Sequence, residues 1–136
     1  MNEENLIEKN YSIWTSPAFD KSIISKINKL KQHDIKEFND SFYCNLSFGT
    51  GGMRGIVGLG PNRVNKYTFG KNTQAISNYI NKIFKKDFKS VVIAYDCRND
   101  SKFLAQKVAE IFSANNIKVF LFSSLRPTPE LSYALI

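Results

Sequence analysis

The chain has 136 residues, enough for one domain with a real hydrophobic core. Hydrophobic residues make up 43% of it and charged residues 23%, a composition typical of a globular protein that excludes a disordered one. The formal net charge of +7 comes mostly from lysines scattered along the chain, so the charge alone does not indicate a nucleic-acid partner.

Three short helices are predicted ahead of residue 44. The first ends before Pro17, with Tyr11 and Trp14 on its apolar side. We expect the second to begin with Ser16 as its N-cap and Pro17 at its first position. Asp34 is expected to cap the third. The other apolar residues at helical spacing are Leu6, Ile7, Phe19, Ile23, Ile24, Ile27, Leu30, Ile35, Phe38 and Phe42.

The stretch from Phe48 to Gly60 holds six of the chain's seven glycines, and Arg54 lies among them. Glycine permits positive φ and lets a ligand come close, and successive N–H groups in such turns form anion-binding nests. An arginine there adds a charged fork suited to phosphate or carboxylate. The alternative is a tight hairpin or paired bulges. It would explain Gly58 and Gly60 better than the denser glycines around Arg54, which are Gly51, Gly52 and Gly55.

Two common glycine-rich phosphate motifs are excluded by direct reading. A Walker A loop closes with Gly-Lys-Ser or Gly-Lys-Thr, whereas Gly70-Lys71 continues into Asn72. The dinucleotide fingerprint G-x-G-x-x-G, counted from Gly49, needs a third glycine where Arg54 stands. The segment before it is also predicted to be a helix, whereas that fingerprint follows a strand.

The second half alternates between helix and strand. Its predicted elements are a helix at 64–84 capped by Asn65, a strand at 90–95, a helix capped by Asn99 or Asp100, a strand at 117–122 and a helix opening at Pro127. The middle helix is expected to turn inward Phe103, Leu104, Val108, Ile111 and Phe112. This order predicts a right-handed βαβ unit with a parallel sheet, so the predicted fold class is α/β.

Polar residues follow both predicted strands of this unit. Ligands gather at the carboxyl ends of strands in α/β sheets. Asp96 and Arg98 lie at the first such end, where they could pair with each other or orient a neighbouring loop. The alternative is that they are turn formers and helix caps. The second junction, residues 123–129, offers two serine hydroxyls and Arg126, or is simply a helix start made rigid by proline.

The cysteines do not predict a metal site. Cys44 and Cys97 are far apart in sequence and His33 is the only histidine, so no zinc ligand set can be assembled. We expect two free, buried thiols in a reducing cytoplasm. The polar first residues, with no long apolar run after them, argue against a signal peptide and a membrane span.

Three motifs, in order along the chain, resemble one known family, the α-D-phosphohexomutase superfamily of phosphoglucomutases and phosphomannomutases. The run Phe48-Gly49-Thr50-x-Gly52-x-Arg54-Gly55 resembles the signature that opens this family. Residues 60–68, which continue this first motif, are similar to its phosphoglucomutase-2-like and phosphopentomutase-like branch. Residues 96–101, as Asp-x-Arg-x-x-Ser, and residues 126–131 resemble two later motifs, although Ala94 stands where many members have glycine.

The resemblance implies a three-layer α/β/α domain with a mixed, partly parallel sheet, of the first-domain type of phosphoglucomutase and truncated at its C-terminus. Residues 1–43 would form an N-terminal helical segment and residues 44–136 an incomplete domain I, with domains II–IV absent. An uncovered sheet edge or apolar face would let such a fragment self-associate.

The resemblance also implies an activity for a full-length parent protein. Family members are isomerases of carbohydrate metabolism, intramolecular phosphotransferases that act on sugar phosphates. They move a phosphoryl group between the 1-hydroxyl and the terminal-carbon hydroxyl, using a phosphoserine, Mg²⁺ and a sugar bisphosphate. By the matching motifs, Arg54 would lie beside the phosphoserine in a phosphate-contacting wall with Thr50, Gly51 and Gly52. The supporting residues would be Asp96, Arg98, Ser101 and Arg126.

The family's catalytic serine loop, Thr-Ala-Ser-His-Asn-Pro, and its metal loop would fall beyond Ile136. We therefore expect no catalytic or metal-binding residue in this chain, no bound Mg²⁺ or sugar bisphosphate, and no turnover by the 136 residues alone. The parent's expected partner is a sugar phosphate, with neither nucleic acid nor membrane. The competing interpretation is a non-enzymatic, basic α/β module that binds a phosphorylated ligand or nucleic acid through the glycine–arginine loop.

Overall fold

A computed structural model describes residues 3–50, 52–85 and 88–134. The chain divides into two compact units, with the boundary after Thr68. Both units combine helices with short strands, and one strand pair is parallel, which confirms the predicted α/β class. Within the described ranges, no helix combines the length and the apolar character that crossing a lipid bilayer requires.

The first unit begins with three helices, α1 (Glu3–Trp14), α2 (Lys21–His33) and α3 (Ile35–Phe42), in the predicted order. Their apolar sides enclose a core of Trp14, Ile27, Phe38 and Phe42. Phe38 stacks on Phe42 with ring centroids 4.7 Å apart, and Trp14 meets Phe42 edge-on at 6.1 Å. Full burial of a side chain such as Ile27 contributes about 1.5–3 kcal/mol, so this core is what holds the helices together.

The start of α2 differs from the prediction. The helix begins one residue after Asp20, so Ser16 and Pro17 lie in the turn before it and neither caps it. The Asp20 side chain makes no capping bond either. Its Oδ2 instead accepts hydrogen bonds from the Tyr67 hydroxyl at 2.6 Å and from Lys66 Nζ at 2.9 Å. Because these partners are distant in sequence, local cap preference could not predict this boundary.

Two predicted caps are confirmed. At the start of α3, the Glu37 N–H donates to Asp34 Oδ1 at 3.0 Å. Asn65 caps α4 (Lys66–Ile83), since its Oδ1 accepts from the N–H groups of Tyr67 and Thr68, each at 3.0 Å. In both helices a side-chain oxygen satisfies first-turn donors that have no partner within the helix.

Between α3 and α4 the chain forms a short antiparallel hairpin. Strand β1 (Phe48–Gly49) pairs with β2 (Gly52–Met53), with Phe48 opposite Met53 and Gly49 opposite Gly52. Farther along, an isolated parallel bridge joins Val57 to Val64, and the Val64 N–H donates to Ile56 O at 2.8 Å. The C-terminal part of the glycine-rich segment, residues 48–60, is therefore hydrogen-bonded to the residues that precede α4.

The second unit contains the predicted βαβ arrangement. Strands β3 (Ser90–Ile93) and β4 (Lys118–Leu121) are parallel, with Ser90 opposite Lys118 and Ile93 opposite Leu121. Helix α5 (Ser101–Ala114) connects them, and α6 (Thr128–Tyr133) follows β4. The parallel pair puts the carboxyl ends of both strands at one edge, next to the start of α5.

Helix α5 buries Ala105 and Phe112 and ends at Ala114, and Asn116 just beyond it adopts a φ of 58°. Phe103 is an exception to the predicted inward face, because 44% of it is exposed. It lies in the first turn of α5, beside an open depression at the end of β3. Helical spacing alone therefore does not decide which apolar residues of a helix are buried.

Candidate active site

Arg54 follows directly after strand β2, and its side chain is exposed. It makes no hydrogen bond or ion pair with any residue that the structure describes, so its guanidinium is available to an anion. Thr50 is exposed in the turn of the same hairpin. Gly51, which the sequence also places in the phosphate-contacting wall, lies outside the described residues.

The glycines of this segment have different roles. Gly52 has a φ of 101°, but an added Cβ would meet open space. Gly60 has a φ of 113°, and an added Cβ would come within 2.6 Å of Ser41 O. A hairpin does exist, but it turns at Thr50 and not at Gly58 and Gly60, where the sequence argument located it. Gly60 is required instead by close packing against α3 and by its backbone conformation.

Sequence reasoning misses Arg63, whose side chain is only 2% exposed. Its Nε and Nη2 donate to Glu37 Oε1 at 3.1 and 2.9 Å, and Nη2 also donates to Asp40 Oδ2. Burial opposes the charged form, but the hydrogen bonds to the two carboxylates outweigh it and raise the pKa of Arg63. Glu37 and Asp40, three apart on α3, share a helix face. This spacing of two carboxylates is the only feature of the local sequence that indicates a site for a cationic partner.

Asp96 and Arg98 pair with each other, one of the two possibilities drawn from the sequence. Arg98 Nε and Nη2 lie 2.8 and 2.7 Å from Asp96 Oδ2, and the Arg98 N–H donates to Oδ1 at 3.2 Å. The Asp96 N–H donates to Ser101 Oγ at 3.2 Å. The Arg98 side chain, and then its N–H, lower the pKa of Asp96 to about 2. Asp96 is thus a carboxylate at neutral pH that compensates the charge of Arg98.

Asp100 occupies the N-cap position of α5, one of the two predicted, but its side chain does not cap the helix. Its φ is 61°, in the left-handed region, and its carboxylate makes no capping hydrogen bond. The Ser101 N–H donates instead to Arg98 O at 3.1 Å, which closes the turn through the backbone. A side-chain cap therefore cannot be inferred from residue type where the backbone takes the left-handed conformation.

The second junction is tied to the first. The Arg126 N–H donates to Tyr95 O at 3.0 Å, and the Tyr95 hydroxyl donates to Ser123 O at 3.0 Å. Arg126 Nε lies 2.7 Å from Glu130 Oε1, so its charge also has a carboxylate partner. An open depression of about 510 Å³ lies beside these strand ends. Its polar lining includes Asp96, Arg98, Ser101, Lys102 and Gln106.

The described residues contain no group of three or more His, Cys, Asp or Glu side chains that could hold a metal ion. Both cysteine thiols are free, as expected. Cys44 is half-buried and Cys97 is exposed, however, so the expectation of buried thiols is wrong. Cys97 lies between Asp96 and Arg98, where the chain turns outward after β3.

The predicted site residues thus fall into two groups. Thr50, Gly52 and Arg54 belong to one hairpin of the first unit. The second unit holds the other group, namely Asp96, Arg98, Ser101 and Arg126. Within that group the first three are joined by hydrogen bonds, and Arg126 is bonded through its backbone to the residue before Asp96.

Residues 45–136 match the family described as phosphoglucomutase/phosphomannomutase, alpha/beta/alpha domain I. The match covers more than half of the chain and includes both groups of site residues. The chain therefore belongs to this family, and the resemblance drawn from its motifs is confirmed.

Individual relatives agree with this assignment. A phosphoglucomutase of Staphylococcus haemolyticus (strain JCSC1435) is 42% identical over 94 residues, covering 69% of this chain and 17% of that protein. A phosphoglucomutase of Staphylococcus aureus (strain USA300) is 37% identical over 105 residues, covering 77% and 18%. The chain spans less than a fifth of the length of these curated relatives. No solved structure matches it significantly. None of these matches supports the competing binding module.

Proposed function

We propose that the whole protein is a phosphohexomutase, an isomerase that moves a phosphoryl group between the 1-hydroxyl and the terminal-carbon hydroxyl of a sugar phosphate by way of a phosphoserine. Family membership and the two staphylococcal phosphoglucomutases support this proposal. The observation that carries it is the exposed guanidinium of Arg54, on a glycine-rich hairpin and without a partner among the described residues.

In the proposed reaction Arg54 contacts the transferring phosphoryl group. Phosphoryl transfer needs little covalent chemistry from the protein and depends on positioning and on compensating the oxygens' charge. A guanidinium without a competing carboxylate offers its full charge to that group, and its planar fork fits two phosphate oxygens. Thr50, Gly51 and Gly52 would form the adjoining wall, and Gly52 belongs to β2, the strand that directly precedes Arg54.

The second group has a supporting role in this proposal. Arg98 and Arg126 already have carboxylate partners, Asp96 and Glu130, so neither offers an uncompensated charge to a substrate. Their contacts hold the loops at the carboxyl ends of β3 and β4. The Ser101 hydroxyl links Asp96 to the first turn of α5. We assign these residues to loop positioning, with no direct part in phosphoryl transfer.

We further propose that the whole protein uses Mg²⁺ and a sugar bisphosphate, and that it acts in the cytoplasm, where free thiols such as those of this chain persist. The described residues supply no ligand set for Mg²⁺, so they do not fit the ion. Residues 44–136 would then form part of domain I and residues 1–43 a helical segment ahead of it. The end of α3 at Phe42 and the family match from residue 45 support that boundary.

A coupled assay that follows glucose 1-phosphate to glucose 6-phosphate tests the proposal. The whole protein is expected to turn over a sugar 1-phosphate, whereas the 136-residue chain alone is expected not to, because it contains no Thr-Ala-Ser-His-Asn-Pro motif. Mannose 1-phosphate and ribose 1-phosphate serve as further substrates. A whole protein that converts none of the three, but binds duplex DNA with a steep dependence on salt, would contradict the proposal and favour the binding module.

A further inference from the structure

The buried guanidinium of Arg63 joins helix α3 to the glycine-rich segment. Besides its bonds to the Glu37 and Asp40 side chains, its Nη1 donates to Asp40 O at 3.3 Å. The methylene part of the side chain lies against Gly58, where an added Cβ would be 3.4 Å from Arg63 Cδ. A side chain that is 2% exposed and makes this many bonds has little freedom to move.

The two residues after Arg63 hold the same segment by hydrogen bonds. The Val64 N–H donates to Ile56 O at 2.8 Å, and Val64 O accepts from the Gly58 N–H at 3.2 Å. Asn65 Nδ2 donates to Gly58 O at 2.9 Å and to Gly60 O at 3.0 Å. The backbone from Ile56 to Gly60 is thus fixed to residues 63–65, which Arg63 in turn fixes to α3.

Arg54 lies only two residues before the first of these bonds. Its own side chain has no partner in the part of the chain that the structure describes, so the backbone on either side must set where it points. On one side is the β1–β2 hairpin, and on the other is the segment fastened through Arg63. Catalytic groups need this kind of support, because small displacements of a charge lower its effect on a transition state.

We propose that Arg63 is a positioning residue for phosphoryl transfer, which holds the glycine-rich segment against α3 and thereby places Arg54. This inference rests on the proposed function. Arg63 does not touch the substrate in this account. Its contribution passes through Arg54, so the two residues act as one unit and their substitutions are not additive.

The test is a double-mutant cycle in the whole enzyme, with Arg63→Met, Arg54→Ala and the combination assayed on glucose 1-phosphate. Arg63→Met is expected to lower kcat about 100-fold, the loss that a misplaced catalytic group causes. KM is expected to stay within about threefold, because the interaction is made in the transition state. Adding Arg63→Met to Arg54→Ala is expected to cost no more than about another twofold.

Glu37→Ala is a second variant, in which residue 63 is still arginine and alanine, a good helix former, replaces the glutamate of α3. It removes Glu37 Oε1, which accepts hydrogen bonds from Arg63 Nε and Nη2, and it is expected to lower kcat by less than Arg63→Met does. The matched control is Glu8→Ala. It also removes a helical glutamate from an ion pair, with Lys31, but it is remote in sequence from the glycine-rich segment. Its kcat is expected to equal that of the wild type.

The outcomes separate the two proposals. Arg63 does not position Arg54 if the losses of kcat in Arg63→Met and Arg54→Ala multiply in the double variant. The same conclusion follows if Glu37→Ala and a folded Arg63→Met keep the kcat of Glu8→Ala. If Arg63→Met does not fold, Glu37→Ala alone, measured against Glu8→Ala, decides the matter. If the wild-type enzyme shows no mutase activity, the proposed function itself has failed, whatever Arg63 does. If Arg54→Ala keeps full kcat, the role of Arg54 has failed, and the positioning role of Arg63 with it.

Discussion

Two exposed arginines, one in each unit, follow short strands and yet differ in what they offer a ligand. Arg54, after β2, has no partner among the described residues. Arg98, five residues after the end of β3 at Ile93, places Nε and Nη2 near one oxygen of Asp96. An exposed arginine is therefore no indication of an anion site by itself. The carboxylates around it decide whether its charge is available.

Arg63 and Arg98 are both paired with carboxylates, but only Arg63 is buried. The two pairs are therefore expected to contribute differently to stability. Arg63→Met is expected to destabilise the protein by about 3 kcal/mol, the lower end for breaking a buried ion pair. The lower end applies because the carboxylates left behind, Glu37 and Asp40, are 45% and 53% exposed and can be hydrated. Urea unfolding, with an unchanged m value, measures the loss.

Arg98→Ala is the matched control in the same unfolding experiment. Its side chain is 82% exposed, so solvent screens its ion pair, and removing it is expected to lower the free energy of unfolding by much less than Arg63→Met does. Equal losses for Arg63→Met and Arg98→Ala would contradict the distinction between a structural and a surface ion pair.

Titration provides a finer test in the second unit. The pKa of Asp96 is about 2, below its ordinary value of about 3.9, chiefly because of the Arg98 side chain. The stabilisation from this pair is therefore present above about pH 4 and is lost as the pH falls towards 2. In carbon-detected NMR, Arg98→Ala is expected to raise the pKa of Asp96 most of the way to its ordinary value, since the backbone N–H of residue 98 remains.

Ser101→Ala is the comparison variant for this titration. The hydroxyl contributes less to the pKa of Asp96 than either group of Arg98, so its loss should raise that pKa only slightly. A larger rise for Ser101→Ala than for Arg98→Ala would reverse the proposed order of the causes.

Much of this architecture could be predicted because it depends on local chemistry. Apolar residues at helical spacing predict α1, α2 and α3, and Asp34 and Asn65 supply the cap oxygens that their helices need. The βαβ unit follows from two β-branched runs with a helix between them. The sequence also predicts Arg54 and Asp96 as site residues, because each lies within a family motif.

The start of α2 and the role of Arg63 escaped prediction for one shared reason, which is contact between residues far apart in sequence. Asp20 does not cap α2 because Tyr67 and Lys66 engage its carboxylate. Arg63 could not be identified in this way because its acceptors, on α3, lie 23 and 26 residues earlier in the chain. Local patterns identify what a residue can do, whereas partners brought together by the fold decide what it does.

Arg54 is proposed to act on the transferring phosphoryl group, whereas Arg98 is proposed only to position a loop. The most direct measurement is kcat/KM on glucose 1-phosphate for Arg54→Ala and Arg98→Ala in the whole enzyme. The account predicts a loss of about 10²–10³-fold for Arg54→Ala, as for removal of a group that stabilises transition-state charge. The loss for Arg98→Ala should be smaller by at least about tenfold, because its charge is already compensated. Equal losses, or a larger loss for Arg98→Ala, would contradict the account.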